Sequence, residues 1–293
     1  MKRIIDGVMI GTGIVAVLAV AIVIAWAGDV FTVDKDGVPK FAVSDAGKIT
    51  VGATESYVNL VVQNDDVATE SDNKLDITAD VLTVEGVRLE NVALSANIEA
   101  TGAGGLDSGS EAANTWYYVF VIANNDGTSW NGLLSTSSTS PTMPSGFTKK
   151  RRVGAVKNSL GNFLLFVQEG NKCIYSDWST TQRVVSSGVE IGWTIVDVSP
   201  VVPSTSRLCI ISNQFEATYG SSGYKGSFIR TAGATSTYGP NLLWTYFVGG
   251  TPHATTRIAE VPTDNSNRVE YRLSAAPSSG GIQIDIFGYY DRI

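Results

Sequence analysis

The sequence predicts an all-β protein preceded by one apolar helix, and three observations carry that expectation. Charged residues make up 17% of the chain, set in a texture rich in Ser, Thr, Gly and Val; a helical bundle would draw on Ala, Glu, Lys and Leu instead. Short runs with a two-residue apolar period recur, as in Ile282, Ile284 and Ile286 alternating with Gln283 and Asp285. Gly, Pro and Ser/Asn clusters punctuate those runs, and the chain holds 30 glycines and 9 prolines.

Composition also bounds function. At about 150 residues per domain, 293 residues suggest two folded units, and 43% hydrophobic content excludes a disordered chain. A net charge of −7 and a pI near 4.8 repel phosphate at long range, so no nucleic-acid partner is expected. Two cysteines cannot build a disulfide scaffold or a four-thiolate zinc site, and one histidine removes most metal and acid–base designs. The expectation is a structural or binding protein, not an enzyme, with no cofactor and no metal.

The N-terminal segment comes first. Residues 7–28 carry no charge for 22 residues, which as a helix would reach about 33 Å, enough to cross a bilayer core. Lys2 and Arg3 precede it while Asp29, Asp34 and Asp36 follow, which places the N-terminus inside and the bulk outside. Gly7, Gly11, Ile14, Val17, Leu18, Ile22 and Trp26 are the anchor residues on this reading, with Gly7 and Gly11 a small-xxx-small pair and Trp26 at the interface. Two rivals stay open. Ala25-Trp26-Ala27 fits a secretory cleavage site, although the run is longer than such signals use; a filament-forming helix is the other. Thr12 stands where a pilin helix would carry Glu.

Residues 29–98 read as slender β-structure. Phe31-Thr32-Val33-Asp34 with Gly37 recurs ten residues later as Phe41-Ala42-Val43-Ser44 with Gly47, and Lys48 to Gly52 continues as a further strand. Leu75 to Ala79 and Val81 to Leu89 repeat the two-residue period. Strands this short bury little alone, so copies wound around an axis would hide their apolar face; an oligomeric stalk, economically a homotrimer, is expected. A small monomeric β-domain is the alternative. Phe31 to Gly37 and Gly47 to Gly52 resemble the strand–turn units in the shafts of bacteriophage tail fibres and spikes.

Residues 99–172 strengthen that resemblance. A glycine-rich junction, Thr101 to Gly109, precedes the strand-forming run Trp116-Tyr117-Tyr118-Val119-Phe120-Val121-Ile122. Arg152 to Val156 and Phe163 to Val167 flank Asn158-Ser159-Leu160-Gly161-Asn162, which predicts a hairpin. Gly102 to Asp107, Trp116 to Val119, Pro144 to Gly154 and Phe163 resemble a module recurrent in phage and prophage tail-fibre proteins. The terminal Val261 to Asp264, Val269 to Arg272 and Ile286 to Asp291 are similar to the last strands of such proteins. The resemblance implies a virion structural or attachment role, usually as a homotrimer, and brings no catalytic residue. An anchor helix departs from ordinary tail fibres and suits a spike on a lipid-containing virion, or a cell-surface protein built from such modules.

Residues 173–293 supply six further candidate strands: 193–198, 207–211, 226–230, 242–248, 269–273 and 282–286. That spacing predicts a β-sandwich of jelly-roll kind. Within it Tyr219, Tyr224, Tyr238, Trp244 and Tyr246 lie in or beside Gly/Ser-rich loops and are the candidate receptor-contact aromatics, for a host glycan or protein. His253 reads as a turn residue, Cys173 and Cys209 as buried thiols with a disulfide left open, and Lys149-Lys150-Arg151-Arg152 as a strand entry or a junction between subunits. Asp65, Asp66, Glu70 and Asp72 fail the EF-hand spacing. The parts then read as helix 1–28, stalk 29–98, module 99–172 and tip 173–293. The functional expectation is a membrane-anchored fibre or spike on a virion surface. A filament subunit polymerising through its N-terminal helix is the alternative, with neighbouring helices as partners in place of lipid.

Overall fold

The structure, a computed structural model, describes the strands within residues 21–51, and residues 56–66, 73–176 and 182–293; side chains are described from residue 56 onward. It is all-β, with no α-helix among the described residues. Two compact units divide the chain, Met1–Thr54 and Glu55–Ile293. The first holds β1 (Ala21–Ile24), β2 (Phe31–Lys35), β3 (Val38–Val43) and β4 (Ile49–Val51) as an antiparallel sheet in that order. The tenfold-spaced repeat pairs with itself here: Phe31 lies opposite Val43 and Val33 opposite Phe41. Of the expected helix 7–28, the β-branched run Ala21–Ile24 is strand, with Ile22 opposite Val33. Gly7, Gly11, Ile14, Val17, Leu18 and Trp26 lie outside the described residues. Among the described residues no helix is long and apolar enough to cross a membrane.

The second unit holds β5 (Tyr57–Val58), β6 (Val61–Asn64), β7 (Lys74–Val84), β8 (Val87–Asn97), β9 (Thr115–Ala123), β10 (Trp130–Ser135), β11 (Lys149–Ser159), β12 (Asn162–Phe163) and β13 (Phe166–Glu169). It continues with β14 (Lys172–Tyr175), β15 (Arg183–Gly188), β16 (Thr194–Asp197), β17 (Ser206–Thr218), β18 (Gly223–Thr231), β19 (Asn241–Phe247), β20 (His253–Pro262), β21 (Arg268–Leu273) and β22 (Ser279–Asp291). A 10-stranded sheet runs β20-β17-β22-β14-β13-β6-β7, with β5 and β8 on β7 and β15 on β22. Two four-stranded sheets, β10-β9-β11-β12 and β16-β21-β18-β19, complete it.

One continuous apolar cluster draws on all three sheets, from Leu60 and Leu75 through Tyr117 and Cys209 to Ile284 and Tyr289. A smaller one, Tyr118, Phe120, Ile122, Leu133 and Ala155, lies on the opposite face of β9 beneath Met143 and Phe147. The unbroken run from Trp116 to Ile122 follows from this: β9 is buried on both faces, so no polar residue alternates. The expected hairpin forms at β11–β12, where Leu160 and Gly161 both take positive φ (56° and 98°), as a two-residue primed turn requires. Phe163 to Val167 is not one strand, however; the chain leaves β12 and enters the large sheet as β13.

Residues 56–98, expected as the distal part of a stalk, pack within the second unit. Leu60, Val62, Leu75, Ile77, Leu82 and Val84 are fully buried within this one chain, and β6 pairs with β13 at Val62–Gln168. Sister copies are not needed to cover them. The boundaries expected at 98/99 and 172/173 fall inside the second unit; the latter cuts the β13–β14 hairpin. The basic run turns inward as well. Arg151 donates to the Ser56 and Thr83 carbonyls at 2.7 and 3.0 Å, and Arg152 meets Asp291 at 2.5 Å on the opposite face of β11. That junction is between strands of one chain. Asp65 pairs with Lys74 at 3.1 Å.

Candidate binding surface

The β16-β21-β18-β19 sheet has two chemically different faces. Ile229, Leu243, Phe247, Val269, Tyr271 and Leu273 turn inward and join the main core. The two-residue period of a strand then puts Tyr224, Gly226, Phe228 and Arg230 of β18 on the outer face, with Leu242, Trp244 and Tyr246 of β19. The register agrees: Tyr224 lies opposite Tyr246, Gly226 opposite Trp244, and Phe228 opposite Leu242. On β21, Arg272 lies opposite Phe228 and Glu270 opposite Arg230.

Four rings cover this face and stay open to solvent: Tyr224 is 63% exposed, Tyr238 57%, Trp244 52% and Tyr246 51%. Tyr224 and Tyr246 meet edge-on with centroids 5.2 Å apart. Tyr238 comes from the turn before β19 and lies 5.6 Å from Phe228, and Trp244 lies 5.7 Å from the same ring. Phe228 is therefore sealed beneath them although it belongs to the outer face. Gly226 leaves the space that the indole fills, since a Cβ there would overlap the six-membered ring of Trp244.

Beside the rings sit two guanidinium groups. Arg230 donates to Glu270 at 2.6 Å, and its guanidinium carbon lies 3.7 Å from the centroid of the Trp193 ring. That charge is balanced and shielded. Arg272 lies 5.1 Å from Trp193 and 4.9 Å from Phe228, and among the described residues its side chain donates to the Thr237 carbonyl alone, at 3.4 Å. Its charge has no carboxylate partner among the described residues. The face thus offers flat apolar rings beside a cation with donors to spare. Such a surface suits the apolar face of a pyranose ring next to hydroxyl or carboxylate oxygens.

Four of the five aromatics expected as receptor contacts stand on this face. Tyr219 does not. It is 3% exposed, packs on Phe247 and Phe215 at 4.8 and 6.3 Å, and donates to the Ala275 carbonyl at 3.0 Å. Burial pushes its hydroxyl up to about 12. Trp193, Phe228, Arg230 and Arg272 were missed as members of the surface. For Phe228, Arg230 and Arg272 the signal is parity, Tyr224-x-Gly226-x-Phe228-x-Arg230 and Glu270-x-Arg272, which needs the register of neighbouring strands before it means anything; Trp193 precedes β16 and carries no such pattern.

Other candidates settle into structural places. His253 is not in a turn: it begins β20, meets Thr245 Oγ1 through Nε2 at 3.1 Å, and lies edge-on to Phe247. Cys173 and Cys209 are free and buried, and both lie opposite Tyr289, one on each side of β22. Two strand spacings put them about 10 Å apart, beyond the roughly 7 Å a disulfide can bridge. Burial pushes both thiols up to about 12. No protein-family model matches the chain, and no curated protein matches it.

Proposed function

We propose that this chain is a structural attachment protein of fibre or spike type that works by binding, with the outer face of the β16-β21-β18-β19 sheet as its receptor surface. The observation that carries the reading is the row Tyr224, Tyr246, Trp244 and Tyr238, half or more exposed on one sheet face. Natural surfaces seldom leave so many large rings in water without a partner, and aromatic and Arg side chains dominate contact energies where partners do bind. The partner class is a host surface glycan. The N-terminal apolar run would hold the protein to a virion or cell surface, and three copies would multiply weak contacts into firm attachment.

The test is retention of the full chain on immobilised bacterial envelope polysaccharides. Trp244→Ala and Tyr246→Ala should each weaken retention about tenfold, the usual scale of a central aromatic contact. Tyr246 touches only Tyr224 among the ring contacts of this face, so its variant keeps the fold and isolates the surface effect. Undiminished retention by both variants would overturn the reading.

A further inference from the structure

A second site lies away from the aromatic face. A cleft of about 550 Å³ opens where β9 and β11 meet the turns that follow β16 and precede β21. Trp116 and Tyr118 supply aromatic surface, Lys157 and Arg207 supply charge, and Ser204 and Asn267 supply polar edges. No acidic side chain lines it, in a chain whose net charge is −7.

Among the described residues, both cations donate side-chain hydrogen bonds to neutral groups. Lys157 donates to the Asn114 carbonyl at 2.6 Å and lies 5.8 Å from the Trp116 ring centroid. Partial burial lowers its pKa. Arg207 places three bonds through Nη1 alone, to the Ser204 and Ser206 carbonyls and to Asn267 Oδ1, at 3.0, 2.8 and 3.0 Å. Its Nε–Nη2 edge, the geometry that grips a carboxylate with two parallel bonds, has no protein partner among the described residues. Asp264, in the turn that carries Asn267, is occupied by Arg268 at 2.7 Å.

The walls are held in place. Trp116 Nε1 donates to the Ser199 carbonyl at 3.0 Å, and the Tyr118 hydroxyl meets Ser204 Oγ at 2.7 Å. Asn267 takes φ 53° and donates to the Val202 and Pro203 carbonyls at 2.9 and 2.8 Å. A strained residue pinned this way fixes the turn against the floor of the cleft, so the site exists before a ligand arrives.

We infer that this cleft binds an acidic sugar, its carboxylate between Lys157 and the free edge of Arg207 and its ring face against Trp116. The inference stands apart from the aromatic face, since no residue is shared. Calorimetric titration of the full chain with a tetragalacturonate tests it, with an uncharged maltotetraose and sodium sulfate as comparison ligands. Saturable binding of the uronate that Lys157→Gln weakens is expected, while any binding of the maltotetraose is indifferent to that substitution. Lys157→Gln and Arg207→Lys should each weaken uronate binding tenfold or more, while Ile258→Ala, on the exposed edge strand β20, leaves it unchanged. Lys157→Gln removes a single bond to a carbonyl, which keeps a folded variant in hand should Arg207→Lys disturb the turn. Maltotetraose binding that Lys157→Gln weakens as much as uronate binding, or uronate binding indifferent to Lys157→Gln, would overturn the inference. Sulfate binding as tight as the uronate, with Trp116→Leu without effect, would also overturn it by reducing the cleft to a simple anion site.

Discussion

Gly226 and Trp244 show how single residues shape the outer face. The strand pair leaves them opposite each other, and only a residue without Cβ leaves room for the indole over Gly226, tilted against Phe228. Gly226→Ala should therefore lift the Trp244 ring, at about 1–3 kcal/mol for the overpacked site, and reduce glycan retention with the sheet intact. Unchanged tryptophan fluorescence and retention would contradict this. The fate of the five aromatics was half legible. Tyr219 shares its Gly/Ser-rich surroundings with Tyr224, yet parity separates them: Phe215 and Ala217 are buried, and Tyr219 continues their inward series past the end of β17. Tyr224 and Trp244 needed more, because their exposure depends on which side of the sheet meets the core. Sequence spacing gives two faces without saying which is wet.

Among elements, β7 and β8 were readable as strands because apolar residues alternate along them, but their partners were not. The two-residue period of Leu75 and Ile77 is the same whether a sister chain or the β10-β9-β11 sheet covers them. Coverage from within one chain has an energetic consequence. Six side chains of β6, β7 and the residue before β6 are fully buried, at about 1.5–3 kcal/mol each, on the order of 10 kcal/mol together. That equals the net stability of a typical domain. A chain of residues 99–293 should thus aggregate or stay unfolded, while residues 55–293 give one cooperative transition by calorimetry. A soluble, cooperative 99–293 fragment would show that the 56–98 strands are dispensable. β20 and β15 escaped notice for the opposite reason. β20 borders the large sheet with little of it buried, so His-Ala-Thr-Thr-Arg-Ile carries no apolar alternation; its Arg257 instead reaches the Leu242 carbonyl of β19 at 2.6 Å.

For the molecule as a whole, the buried titratable groups around β22 set its response to pH. Burial raises Cys173 and Cys209 to about 12 and Tyr175 and Tyr289 well above 10. Each keeps its proton in the folded state after the unfolded chain has released it. Their contribution is whole below the ordinary thiol range and is lost as pH climbs from about 9 toward 12, at about 1.4 kcal/mol per group per pH unit. Urea unfolding midpoints should be level between pH 7 and 8 and fall steadily from 9 to 11; a level profile through 11 would contradict this burial. The same closed interior leaves recognition to the surface, and the surface claim has a direct test. Hydroxyl-radical footprinting of the full chain, alone and bound to an envelope polysaccharide that retains it, reads ring accessibility residue by residue. Oxidation of Tyr224, Tyr238, Trp244 and Tyr246 should drop severalfold on binding while exposed Leu160, at the β11–β12 turn, is unchanged. Equal oxidation of those four rings in the bound state would place attachment elsewhere on the molecule.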